Sequence, residues 1–210
     1  MVLRDEAMIR NDASPAETIA HVGRLLVQRR LTDFCGGNIS LRQGEQVYMS
    51  PRYAGAQQQW DIDPTTVVVG PLAGDELLSH PHFSREGRSH IGIYRTFPQA
   101  LAIIHAHPFH VMPFCAAERP LPPVIEATEK YGLVEVVPYA PAHTQQLADQ
   151  IVAALHGKQA LIERSAGVLL LARHGLIVVG RDLYGCLDVV ERIDVNAWCI
   201  LAQKLMPEPA

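Results

Sequence analysis

The chain has 210 residues, 48% of them hydrophobic and 19% charged, with a formal net charge of −4. That is enough to bury a sizeable core, and a single domain over residues 1–210 is expected. Eighteen Lys and Arg against 22 Asp and Glu leave no basic excess for nucleic acid, and no apolar run is long enough to span a bilayer.

Residues 1–14 carry Arg4, Asp5, Glu6, Arg10 and Asp12, so they lack the apolar stretch of a signal peptide and a cytoplasmic protein is expected. Ser14-Pro15-Ala16-Glu17 reads as a capping box with Pro at the first helical position. Ile19, Val22, Leu25 and Leu26 then recur at helical spacing up to Arg30. Strands are predicted over residues 38–42, 47–50 and 66–69, joined by turns so short that part of the sheet must be antiparallel. Ser84 is predicted to cap a second helix running to about Phe97, where Pro98 stops it.

Residues 100–107 read as an Ile- and Ala-rich strand ended by Pro108. A third helix is predicted over residues 144–156, with Gly157 just past its end. Residues 167–172 and 176–179 are apolar β runs, and Asp182 caps a long last helix with Leu183, Leu187, Val190, Ala197, Leu201 and Leu205 facing inward. Helices before, between and after short strands imply a layered α/β domain with the sheet in the middle. Cys35, Cys115, Cys186 and Cys199 are scattered and read as reduced, mostly buried small hydrophobes.

Histidine is the unusual residue, with ten in the chain. In His105-Ala106-His107 the two imidazoles lie two apart on a strand and so project from one face. That is half of a metal site, since a catalytic divalent ion commonly takes three protein ligands. His174 is a candidate third, a lone imidazole in an otherwise apolar strand that would cost free energy to bury unpartnered. A lone histidine in such a strand is commonly a hydrogen-bonded core residue instead, and His80, His82, His90 and His110 crowd the same region. Glu86, in the first turn of the helix expected after Ser84, is a natural carboxylate for the site, although a first-turn Glu is also simply a good helix starter.

Gly36-Gly37-Asn38-Ile39-Ser40, Ser84-Arg85-Glu86 followed by His90 and Tyr94, His105-Ala106-His107, and Arg173-His174-Gly175-Leu176 follow one another in this order. Together they resemble the class II aldolase/adducin family over about residues 14–201. Its best-known enzymes are the fuculose-phosphate and rhamnulose-phosphate aldolases and ribulose-phosphate epimerase. The resemblance implies a three-layer α/β/α fold with a central, mostly antiparallel sheet. It further implies Zn²⁺, or another divalent metal such as Mn²⁺ or Co²⁺, on His105, His107 and His174. A homo-oligomer is implied too, usually a tetramer with sites between neighbouring subunits. Glu86 would ligate the resting metal and then act as acid/base, while Gly37 and Asn38 would offer donors to a substrate phosphate. The implied reaction is retro-aldol cleavage of a small, phosphorylated ketose, with the metal as Lewis acid stabilising the enediolate. Adducin-like relatives lose the ligands and serve as binding modules; here all three His and the Glu are present.

The departures bear on substrate. Pro51-Arg52-Tyr53 falls where the aldolases carry a Pro-Ser-Gly phosphate loop, Ser84-Arg85-Glu86 falls on Ser-Ser-Glu, and Cys35 replaces a Thr. Ser84, Arg52 and Arg85 are therefore expected to bind substrate, and the two arginines suit a carboxylate as well as a phosphate. The alternative is that both form surface ion pairs. Glu126 aligns with a Tyr important to the aldolases, and related methylthioribulose-phosphate dehydratases use a Glu in that segment for proton transfer. Glu126 is thus a second catalytic candidate, and decarboxylation or dehydration is the alternative reaction.

Overall fold

The computed structural model describes residues 13–33 and 36–206; Cys35 and the charged start of the chain, residues 1–12, lie outside them. The strands are β1 (Asn38–Gln43), β2 (Gln46–Met49), β3 (Val68–Pro71), β4 (Ala102–Ala106), β5 (Val136–Val137), β6 (Ala166–Leu171) and β7 (Gly175–Gly180). They form one sheet in the order β3-β2-β1-β4-β7-β6-β5. Every pairing is antiparallel except β5 with β6. The helices are α1 (Pro15–Gln28), α2 (Ala54–Gln58), α3 (Glu76–Ser79), α4 (Gly87–Thr96), α5 (Met112–Ala116), α6 (Glu126–Glu129), α7 (Gln145–Leu155), α8 (Gln159–Arg164) and α9 (Leu183–Gln203).

The period-2 alternation of the central strands builds a core on each side of the sheet. Ala102, Ile104, Leu176, Val178, Val168 and Leu170 join α1 and α9 on one side. Ile103, Ile177, Val179, Leu169 and Leu171 join α4 and α7 on the other. Helices on both faces of a mostly antiparallel sheet give the three-layer α/β/α architecture. Among the described residues, no helix is long and apolar enough to cross a membrane.

Three helix starts follow their caps. Ser14 Oγ accepts the Glu17 N–H at 3.3 Å while Glu17 reaches back to the Ser14 N–H at 2.8 Å. Thr144 Oγ1 and Asp182 Oδ1 accept from the N–H of Leu147 and Gly185 at 3.2 and 2.7 Å. Each such cap stabilises its helix by about 1 kcal/mol.

Several expected boundaries shift; the last helix, for one, ends at Gln203, which leaves Leu205 exposed beyond it rather than facing inward. The third strand starts at Val68 because Asp63 Oδ1 accepts the Thr65 N–H and turns Pro64–Thr66 into a 3-10 helix. Ser84 does not cap α4. Its carbonyl accepts the Gly87 N–H in a turn, the helix begins at Gly87, and Glu86 occupies the N-cap position with its side chain free to leave the helix.

Candidate active site

β4 carries the central imidazoles. Along it, Ala102, Ile104 and Ala106 belong to the α1/α9 core, so His105 emerges on the α4 side like Ile103. The register pairs Asn38 of β1 with His105 and Ile177 of β7 with His105. The turn from β6 to β7 then brings His174 beside them, with the His105 and His174 ring centroids 4.7 Å apart. One ligand atom from each of His105, His107 and His174 lies within 4.8 Å of the others.

Hydrogen bonds behind the rings decide which nitrogen faces the site. His105 Nδ1 lies 2.8 Å from the Leu176 carbonyl, and His107 Nδ1 lies 3.1 Å from Asp33 Oδ2. A carbonyl and a carboxylate only accept, so each Nδ1 carries the proton and each Nε2 presents a lone pair. Those two Nε2 atoms are 3.2 Å apart. Facing lone pairs repel at that distance unless a cation lies between them. Ligands about 2.0–2.1 Å from a tetrahedral zinc ion stand roughly 3.3 Å from each other. The donor set and its spacing therefore fit a divalent metal. Burial pulls the His105 pKa down to about 3, with Glu86 opposing, so the ring stays neutral as a ligand must.

Glu86 closes the group. Its Oε2 is 3.1 Å from His105 Nε2 and its Oε1 is 3.1 Å from His174 Nε2. Burial acts to raise its pKa, but His105, His174 and His143 around its oxygens outweigh it and hold the carboxyl below its ordinary value. Asn38 Nδ2 donates to Oε2 at 3.4 Å, and the Asn38 Oδ1 is buried with no partner.

These groups line a cavity of about 220 Å³, the size of a small metabolite. Gly36, Gly37, Asn38, Arg52, Ser84 and Arg85 also line it. Gly37 sits at φ +89, where its missing side chain leaves room for the His105 carbonyl. Arg52 and Arg85 both approach the Tyr53 ring, with guanidinium carbons 4.9 and 5.6 Å from its centroid. Among the described residues neither arginine has a carboxylate partner, whereas Arg29, Arg42 and Arg173 all do. The Arg52 Nε is buried without a hydrogen bond. Among the described residues, Arg52 and Arg85 therefore form no surface ion pair.

Glu126 stands apart. It is exposed at the start of α6 and borders a separate surface groove with Glu129, Lys130 and Arg192. Within one chain the structure does not bring it to the imidazoles. Of the other histidines, His80 and His82 face each other at the surface and His110 pairs with Asp194 at 2.7 Å. His90 is buried against Ser40 and Tyr94.

Two residues of the site escaped the sequence reading. Asp33 orients His107 and also accepts the Gly36 N–H at 2.6 Å; its place ahead of a Gly-Gly turn was the only signal. His143 lines the cavity with Nδ1 3.4 Å from Glu86 Oε1. Its pKa is lowered by burial, with Arg85, His174 and Arg52 adding and Glu86 opposing.

Residues 17–200 match the family model of the class II aldolase and adducin N-terminal domain. The chain belongs to that family. It is 30% identical over 194 residues to the 5-deoxy-D-ribulose 1-phosphate aldolase of Bacillus thuringiensis serovar kurstaki, covering 92% of this chain and 87% of that relative. It is 25% identical over 193 residues to the 3-oxo-tetronate 4-phosphate decarboxylase of Haemophilus influenzae, covering 89% and 86%. An L-fuculose 1-phosphate aldolase structure superposes with a TM-score of 0.79 at 26% identity, covering 94% of this chain and 91% of that one. This class II aldolase homologue is accordingly a lyase of a divalent-metal-dependent family, and the imidazole trio is where it can hold the ion.

Proposed function

We propose that the protein cleaves a carbon–carbon bond in a small, phosphorylated ketose by retro-aldol chemistry, with Zn²⁺ on His105, His107 and His174. The observation that carries this reading is the pair of Nε2 lone pairs facing each other at 3.2 Å beside the Glu86 carboxylate. A bound divalent ion would supply Lewis acidity, drawing charge from a substrate carbonyl.

The chain's own residues do the rest. Retro-aldol cleavage removes a proton from the hydroxyl β to the carbonyl, expels an aldehyde, and returns a proton to the carbon left behind. Glu86, ionised and half enclosed by imidazoles, is placed to hold and move a proton at its Oε atoms. Arg52 and Arg85 hold the substrate's anionic group, Ser84 lies beside them, and the buried Asn38 amide offers an acceptor to a hydroxyl. Glu126, outside this cavity, would act only in a neighbouring subunit's site; the reading includes a cytoplasmic homotetramer, which sedimentation would measure.

Decarboxylation is the second reading, favoured by the two unpaired guanidiniums, which suit a carboxylate bidentately. One experiment separates the two. The zinc-loaded protein is incubated with five- and six-carbon ketose 1-phosphates and with phosphorylated 3-oxo acids. A ketose 1-phosphate cut between C3 and C4 leaves dihydroxyacetone phosphate, read by its NADH-coupled reduction; carbon dioxide release marks the alternative. Neither product from any substrate would overturn the proposal. Glu86→Gln should lower turnover by about 100-fold or more with zinc retained.

A further inference from the structure

His143 reaches the cavity from an element that carries none of the imidazole trio. It lies in the turn ahead of α7 at φ +69, a conformation that costs a side-chain-bearing residue about 1 kcal/mol or more. The following residue is pinned: the Thr144 hydroxyl donates to the Pro141 carbonyl at 2.7 Å and accepts the Leu147 N–H at 3.2 Å. The imidazole is thus delivered by a fixed turn in a strained backbone. Glycine or asparagine would occupy that position more comfortably.

The two oxygens of Glu86 have different surroundings. Oε2 meets His105 and Asn38. Oε1 meets His174 Nε2 at 3.1 Å and His143 Nδ1 at 3.4 Å. His174 belongs to the trio and His143 does not. Each oxygen thus has one neighbour outside the trio, Asn38 on Oε2 and His143 on Oε1.

We propose that His143 is a positioning residue for Glu86: its Nδ1–H holds Oε1 and keeps the carboxylate beside the reacting carbon once substrate fills the space before the imidazoles. This rests on Glu86 being the proton-transfer group. Such an anchor matters because Glu86 has no capping bond of its own to the α4 N-terminus. Without His143, Oε1 would be left to His174, which a metal ion engages, and only the 3.4 Å Asn38 contact on Oε2 would hold the carboxylate from outside the trio.

The test compares His143→Gly, which relieves the φ, with His143→Asn, which tolerates it and places a side-chain N–H near the position of Nδ1. On whichever substrate the panel above identifies, His143→Gly should lower kcat by about 10- to 100-fold and change KM less than about 3-fold. Zinc content should stay at the wild-type level, and His143→Asn should recover most of kcat. Unchanged kcat in His143→Gly, equal loss in both variants, or zinc lost in step with kcat would overturn the proposal. Ring ¹⁵N NMR of the zinc-loaded protein reads the contact with no substrate present. A protonated His143 Nδ1 whose proton signal moves in Glu86→Gln supports it, and an unprotonated or indifferent Nδ1 overturns it. If the panel yields no cleavage, the retro-aldol reading fails while this spectrum still decides the role of His143.

Discussion

Gly36 stands against the ring of His107 so closely that a β-carbon on it would overlap the imidazole's Cε1 and Nδ1. The ring fills the volume that any other residue would claim, and the same loop supplies Asp33 to hold its Nδ1. Gly36→Ala should therefore push His107 out of line and weaken zinc binding by about 10- to 100-fold, as loss of an orienting contact does. Competition against a chromophoric chelator measures it. An unchanged zinc affinity would take His107 out of the ligand set.

Zinc should also stabilise the fold. A ligand that binds only the native state at 100 times its Kd adds roughly 2.7 kcal/mol. For a chain of this size that raises Tm by about 5–10 °C. Calorimetry with and without a chelator should show this rise in the wild type and lose it in His107→Ala or His105→Ala. Equal Tm values with and without zinc in the wild type would contradict an ion site on these residues.

Arg52 and Arg85 should govern affinity. Removing a charge-assisted hydrogen bond to a substrate anion costs about 1.5–3 kcal/mol, so Arg52→Ala and Arg85→Ala should each raise KM about 10-fold or more. Lysine, a point charge without the planar fork, should restore little where the contact is bidentate. Steady-state kinetics decide the matter; KM at the wild-type value in both alanine variants would return the arginines to ordinary surface residues.

His90 should make the protein acid-sensitive. Burial holds its pKa near 3, with Glu86 opposing, against an ordinary value of 6.5. Between those values the unfolded chain takes up a proton that the native ring refuses. Its contribution to stability is therefore complete above about pH 6.5 and is lost progressively as pH falls towards 3. Thermal melts from pH 7.5 down to pH 4 should show Tm falling, and His90→Asn, which cannot titrate, should fall less steeply. Parallel slopes in the two proteins would place the acid sensitivity elsewhere.

Much of this site was legible in the chain. His105-Ala106-His107 on a strand needs only the period of two to put both rings on one face, and the caps at Ser14, Thr144 and Asp182 act over three residues. The sequence points to Glu86 through a first-turn helical position, yet it serves the site because α4 begins one residue later and leaves its side chain to turn inward. Glu126 aligns with a catalytic position of the family, while α6 puts it at the surface of this chain.

The sequence by itself determined the family, the direction of each side chain relative to its own element, and the supply of imidazoles and carboxylates. Only the tertiary structure decided that His174 meets His105, that Asp33 and His143 join the site, and that Arg52 and Arg85 line the cavity with no carboxylate partner among the described residues. The physical reason is range. Periodicity and capping act within a few residues, whereas convergence depends on strand order and register, which the packing of both apolar faces settles collectively.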